Sequence, residues 1–133
     1  MNATINTAEM KHRQVRLSTL WLFAMLNYLY ADVFTLFFSQ EARSAAAAMT
    51  ADAVLAFAVL METAIAMVLL SRLLQYRANR WANIIVGAIH TLSVLFSLFA
   101  GTPAPFYVFF AAIEIVCTLA IIWYAWKWPK QEA

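Results

Sequence analysis

The sequence has little charge and almost no cysteine, and each shortage excludes a class of protein. Charged residues make up only 12% of the 133 positions, whereas 65% are hydrophobic. A soluble domain is roughly half apolar and about a quarter charged, and a chain this short cannot hide the excess in a water-soluble core. The single cysteine, Cys117, excludes an intramolecular disulfide and CxxC redox chemistry. The composition therefore predicts an integral membrane protein.

Long apolar runs are what the sequence has instead. A membrane-spanning helix needs about 20 mostly apolar residues, and four runs qualify, at residues 17–38, 53–74, 81–100 and 104–126. None alternates as a strand would, and backbone groups in lipid must be paired internally, so each run is predicted to be a helix. The links are short, so consecutive helices are expected to be antiparallel neighbours. The prediction is an all-α, up-down-up-down four-helix bundle in one membrane domain, residues 1–133.

Local signals refine the ends of these helices. The alanine-rich first link predicts a short surface helix or an extension of the second span. Asp52 is expected to N-cap the second span, and Pro103 or Pro105 is expected to begin the fourth. The first run is too long for a signal peptide and lacks a cleavage site within reach, so we expect it to remain as a span.

Lysine and arginine are unevenly distributed between the two sides of the predicted bundle. Only Arg43 lies in a link on one side. The other side carries Lys11, Arg13, Arg16, Arg72, Arg77, Arg80, Lys127 and Lys130. The positive-inside rule then places both termini in the cytoplasm.

Polar residues recur at one depth in the predicted spans. Glu62, His90 and Glu114 lie within about one residue of the middle of their runs, or roughly 1.5 Å along a helix. Asn27 lies at the same level, and Asp32 lies about five residues nearer the non-cytoplasmic side. Ionisable residues inside spans usually face the bundle interior or a watery cavity. The pattern therefore predicts a shared polar centre.

Structural roles compete with functional ones at each position. Asn27 also fits an interhelical hydrogen bond, and His90 also fits a packed, hydrogen-bonded histidine. Glu62 and Glu114 could pair with His90, which favours the carboxylate, or be buried as neutral acids. The sequence leaves these alternatives open.

Metal and cofactor chemistry finds little support in the spacing. A di-iron bundle would need Glu-x-x-His pairs, which the sequence lacks. A bis-histidine haem would need a second histidine in the core, but His12 precedes the first span. A single metal site from Asp32, Glu62, His90 and Glu114 is possible in composition only. No metal and no cofactor is therefore expected, whereas a proton relay or a small-molecule pocket fits scattered carboxylates, a histidine and tyrosines.

Three segments resemble a known family: YLYAD at 28–32, NRWANIIVG at 79–87, and IEI followed by WYAWKWP at 113–129. They look like a family of small bacterial four-span membrane proteins described only as a domain of unknown function, similar to the broader DoxX-like group. The resemblance implies a four-helix membrane fold and no assigned activity. Eight residues resemble those at the same places in the family pattern: Tyr28, Tyr30, Asp32, Arg80, Trp81, Asn83, Glu114 and Trp126. Glu62 and His90 are less regular in that family, which favours Asp32 and Glu114 as the functional pair.

The resulting hypothesis is an inner-membrane protein with an intramembrane polar pocket for a small amphiphilic or lipid-like ligand. Asp32 and Glu114 would anchor the ligand. The other predicted lining residues are Glu62, His90, Asn27, Tyr28, Tyr30 and Asn83. The alternatives are an oligomeric proton-coupled transporter or channel, an accessory subunit of a membrane complex, and an intramembrane isomerase with carboxylates as acid and base. A non-enzymatic role is favoured; the expected partners are the bilayer, a second copy or a complex subunit, and not nucleic acid.

Overall fold

The chain folds entirely as helices. A computed structural model describes residues 2–129, with side chains from residue 7 onward. It contains α1 (Asn2–Phe38), α2 (Gln40–Ala47), α3 (Ala51–Leu73), α4 (Tyr76–Phe99) and α5 (Pro105–Trp126), and no strand occurs within residues 2–129. All of these helices except α2 are long and apolar enough to cross a membrane. The predicted all-α membrane bundle is confirmed, with α2 as the short helix in the first link.

Residues at the helix ends explain where α2, α3 and α5 begin. Ser39 ends α1 and caps α2, because its Oγ accepts a hydrogen bond from the Ala42 amide at 3.2 Å. Thr50 caps α3 through the Ala53 amide at 3.3 Å. The prediction that Asp52 is this cap was wrong; Asp52 lies in the first turn, where its charge suits the positive helix end. α5 begins at Pro105, as one of the two sequence alternatives expected.

The four long helices form a ring in chain order. α5 packs extensively against both α4 and α1, and α1 packs against α3, whereas α3 and α4 touch much less. Gly87 of α4 permits the closest approach to α5, since a Cβ there would lie 2.9 Å from Ile122 Cγ1. The bundle core includes the fully buried side chains of Leu17, Trp21 and Ile121. The last helix is thus the one that closes the ring.

Burial is concentrated in one half of the bundle. Among the described residues, none is buried in α1 after Ala31, in α3 before Ala64, in α4 after Val94 or in α5 before Ala111. Residues 51–59 of α3 are all exposed. The bundle is therefore closed at the end away from α2 and loosely packed at the end near α2.

Arginines from other helices fasten the end of α5. Arg13 Nη1 donates to the Tyr124 carbonyl at 3.5 Å, and Arg80 Nη2 donates to the Trp126 carbonyl at 3.2 Å. Arg16 Nη1 donates to the Tyr124 hydroxyl at 2.7 Å. The last carbonyls of a helix have no intrahelical partner and carry partial negative charge, so these contacts stabilise the α5 terminus. Of the basic residues that predict the orientation, Lys130 lies outside the described residues.

Candidate functional site

A small cavity lies where the packed and loose halves of the bundle meet. Its volume is about 70 Å³, and all four long helices contribute to its wall. Tyr28 and Asp32 of α1, His90 of α4 and Glu114 of α5 line it. A water needs about 10–15 Å³ of such space, whereas small-molecule pockets run to about 300–1,000 Å³. The cavity therefore has room for a few waters or one small polar group.

Two polar atoms at this cavity lack a hydrogen-bond partner. Glu114 is only 3% exposed, and within the described part of the chain its Oε1 has no partner. The same holds for the hydroxyl of Tyr28, which is 7% exposed. The great majority of buried polar atoms are paired, so each exception requires an explanation. Here both residues line one cavity, and an occupant with polar atoms would satisfy both.

His90 forms the inner wall and is held by three contacts. Its ring stacks on Tyr28 with 5.4 Å between centroids, and Trp21 meets it edge-on at 5.6 Å. Its Nε2 lies 2.9 Å from Thr63 Oγ1. The ion pair found in the described residues joins Arg13 to Glu9, so neither Glu62 nor Glu114 is paired with His90 there. His90 is thus positioned by aromatic packing and a hydroxyl.

Asp32 lies on the side of the cavity nearer α2. It is one helical turn from Tyr28 on α1, and unlike Glu114 it is exposed. The two carboxyl groups therefore share one cavity, one buried and one open to the surroundings. The cavity wall contains no lysine or arginine.

The other four predicted site residues lie elsewhere. Glu62 and Tyr30 are exposed on outer faces. Asn27 is half-buried and donates to the Phe23 carbonyl of its own helix at 2.8 Å. None of these, nor Asn83, lines the cavity. Residues at equal depth share a site only when they also share a helix face, and faces repeat every three or four residues.

Asn83 belongs to a buried polar network in the closed half of the bundle. Its Oδ1 accepts from Trp21 Nε1 at 2.7 Å and from Ser71 Oγ at 3.2 Å. Its Nδ2 donates to Asn79 Oδ1 at 2.6 Å, and Asn79 Nδ2 donates to the Ser71 carbonyl at 2.7 Å. The network joins α1, α3 and α4, and its Trp21 meets His90 of the cavity wall edge-on. Sequence reasoning missed Asn79, although its spacing of four from Asn83 places the two amides on one face.

A larger cleft adjoins the cavity on the opposite side. It has a volume of about 320 Å³ and lies between the start of α2 and the link from α4 to α5. Ser97 and Tyr107 line both spaces. Tyr107 is seven residues from Glu114 on α5, a spacing that indicates a common face. The cavity and the cleft therefore share part of their walls, and with the buried His90 and Glu114 at the inner end they form what we call the blind pocket.

Asp32, His90 and Glu114 all line the pocket, but they are not placed to hold a metal ion together. Within the described residues, no group of three or more His, Cys, Asp and Glu side chains is placed to hold a metal ion. Glu62, a member of the metal set considered from composition, is exposed. Cys117 is buried, and its Sγ donates to the Leu20 carbonyl at 3.1 Å.

Comparison with known proteins gives a family but no activity. Residues 5–133 match a family described only as a family of unknown function, DUF6326. The match takes in nearly the whole chain, including every residue of the cavity wall. No curated protein and no solved structure matches the chain.

Proposed function

We propose that this chain, which belongs to the DUF6326 family of unknown function, binds a small amphiphile in the blind pocket. The polar group of the ligand would enter the inner cavity and contact Glu114, Asp32 and Tyr28. Its apolar part would lie in the adjoining cleft. The observation that carries the proposal is the unpaired Glu114 carboxyl oxygen beside the unpaired Tyr28 hydroxyl in one cavity.

The chemistry of the cavity wall defines the polar group. Two carboxyl groups line the space beside His90, and no lysine or arginine does so among the described residues, which favours a hydrogen-bond donor or a cation and disfavours an anion. The rings of Tyr28 and Tyr107 add faces that attract cations. A volume of about 70 Å³ admits a group as small as a primary amine or a hydroxyl. A protonated primary amine donates hydrogen bonds, carries a positive charge that the aromatic faces attract, and is small enough for this volume.

The cleft suits the apolar remainder of such a ligand. Its wall includes Phe106, Pro103 and Ala45 beside a few hydroxyl groups and the exposed Glu41. Its volume of about 320 Å³ falls within the range of about 300–1,000 Å³ for small-molecule pockets. An amphiphile with a short chain therefore fits the pocket with its amine innermost.

Native mass spectrometry of the detergent-solubilised protein tests this proposal with dodecylamine and dodecanoate as probes. We expect a one-to-one adduct with dodecylamine that is lost in both Glu114→Gln and Asp32→Asn. Glu62→Gln is the matched control, because Glu62 is an exposed carboxyl group at similar depth, and it should keep the adduct. Equal binding of dodecanoate, or equal loss in Glu62→Gln, would contradict the proposal.

A second candidate function is proton-coupled transport. The observation that favours it is the chain of contacts that continues from His90 through Trp21 and Asn83 to Asn79, across the closed half of the bundle. Transport would require this network to open. In proteoliposomes, a proton-dependent flux abolished by Glu114→Gln but not by Glu62→Gln would support transport. A tight barrier to protons and solutes in the wild type would contradict it.

We further propose that the protein resides in a bacterial inner membrane, with both termini in the cytoplasm and a fold related to the DoxX-like group. The support is the one-sided distribution of arginine and lysine and the resemblance of the YLYAD, NRWANIIVG and WYAWKWP segments to small bacterial four-span proteins.

A further inference from the structure

A groove, separate from the cavity and the cleft, runs along the outside of the bundle between α1 and α3. Its volume is about 300 Å³, and it shares no residue with the central cavity or the cleft. Leu22, Met25, Ile65 and Leu69 form its apolar length. Arg72 lies at one end together with Ser18 and Thr19. One end of the groove is therefore polar and basic, and the rest of its length is apolar.

One guanidinium nitrogen of Arg72 is hydrogen-bonded within the described chain, and the two terminal nitrogens remain for a ligand. Its Nε donates to Ser18 Oγ at 3.0 Å, and Ser18 Oγ donates in turn to the Val68 carbonyl at 2.7 Å. Across the described residues, Arg72 forms no ion pair, and its terminal nitrogens make no hydrogen bond. The side chain is exposed. Two parallel N–H donors thus remain available, and that geometry suits phosphate.

The order of groups in the groove matches the layers of a bilayer. Arg72 lies in the last turn of α3, at the end of a span, where lipid phosphates are expected. Ile65 lies seven residues earlier, roughly 10 Å deeper along the helix and therefore in the hydrocarbon layer. A basic side chain at the interface attracts anionic lipid. The free phosphate ion would use Arg72 alone and leave the apolar length of the groove without a function.

We propose that this groove binds one anionic phospholipid, with its phosphate on Arg72 and one acyl chain along Leu22, Met25, Ile65 and Leu69. The site is separate from the central pocket and does not depend on the function proposed for it. Bound lipid would brace α1 against α3.

Native mass spectrometry with phosphatidylglycerol and phosphatidylcholine of identical chains tests the site. We expect the first lipid adduct to prefer phosphatidylglycerol by about fivefold, as one basic residue near a membrane surface contributes. Arg72→Gln should abolish the preference. Arg77→Gln is the matched control, because Arg77 is also exposed near the same membrane face but does not line the groove.

A second pair of variants tests the acyl-chain part independently of charge. Ile65→Trp should fill the groove and reduce the retention of both lipids, whereas Ile89→Trp should not. Both isoleucines are 46% exposed, and only Ile65 lines the groove. Equal binding of the two lipids, or the same loss of lipid adduct in all four variants, would show that lipid binds only as a nonspecific annular layer. Either result would overturn the proposal. Displacement of phosphatidylglycerol by equimolar inorganic phosphate would identify a free-phosphate site and overturn it as well.

Discussion

Glu114 keeps a carboxyl group inside the bundle without a charged partner in the described chain. Its backbone is fixed, because Thr118 Oγ1 donates to the Glu114 carbonyl at 3.1 Å and receives a hydrogen bond from Thr91 of α4 at 2.7 Å. The side chain is therefore presented to the cavity by a rigid segment. Burial of an unpaired polar group lowers stability, and a ligand that pairs with Glu114 would recover that loss.

Asn83 is predicted to contribute more to stability than Asn27. Asn83→Ala would leave the Trp21 indole N–H and the Ser71 hydroxyl without an acceptor and Asn79 Oδ1 without a donor, which costs about 1–3 kcal/mol. Asn27→Ala is the control, because Asn27 bonds only to a carbonyl of its own helix and should change stability by at most about 0.5 kcal/mol. Thermal unfolding in detergent measures both. Equal effects of the two variants would contradict a structural role for the network.

At the scale of the helices, the rotation of each helix about its own axis determines which polar residues meet. Tyr28 and Asp32 are four residues apart and share a face, whereas Tyr30 is rotated by about 200° from both. On α1 this follows from residue spacing. α3 is apolar on nearly all sides, so its sequence gives no signal for its rotation, and the exposure of Glu62 could not be predicted. Counting along each run predicts a common depth for Glu62, His90, Glu114 and Asn27, with Asp32 about five residues away, but it does not predict which of them share a face.

The approach of α4 to α5 leads to a prediction about glycine. In Gly87→Ala the new Cβ would lie 2.9 Å from Ile122 Cγ1 and 3.6 Å from the Thr118 carbonyl, so the helices or Ile122 must shift. We expect a loss of about 1–3 kcal/mol, as for other overpacked cores. Gly101→Ala should leave the unfolding temperature nearly unchanged, since no atom lies within 4 Å and no glycine has a positive φ. Equal effects would show that the close approach is not tight.

For the whole molecule, the contrast between the closed and loose halves determines how the pocket is reached. The network around Asn83 lies in the closed half of the bundle, and the cleft beside α2 lies in the loose half. The sequence predicted a shared polar centre in the bundle but not this asymmetry, because the asymmetry depends on how tightly α3 packs against its neighbours. Membrane orientation then decides which compartment supplies the ligand.

The buried Cys117 makes the orientation measurable by thiol labelling. The wild type should not react with a membrane-impermeant maleimide, because its single thiol is buried and hydrogen-bonded. Ser44→Cys in α2 should be labelled from outside in spheroplasts, and Gln75→Cys between α3 and α4 should be labelled only after permeabilisation. Both original side chains are exposed. The reverse pattern, or labelling of both in intact spheroplasts, would contradict the predicted topology.

The ring arrangement of the helices also bears on how the protein is made. α1 is made before α5 but packs extensively against it, and contacts such as Cys117 with Leu20 join residues about one hundred positions apart. The face of α1 that packs against α5 therefore stays uncovered until α5 is inserted, whereas Trp21 can already bond to Asn83 of α4. During biogenesis, nascent chains stalled before α5 should be the form most exposed to membrane proteases and insertion chaperones.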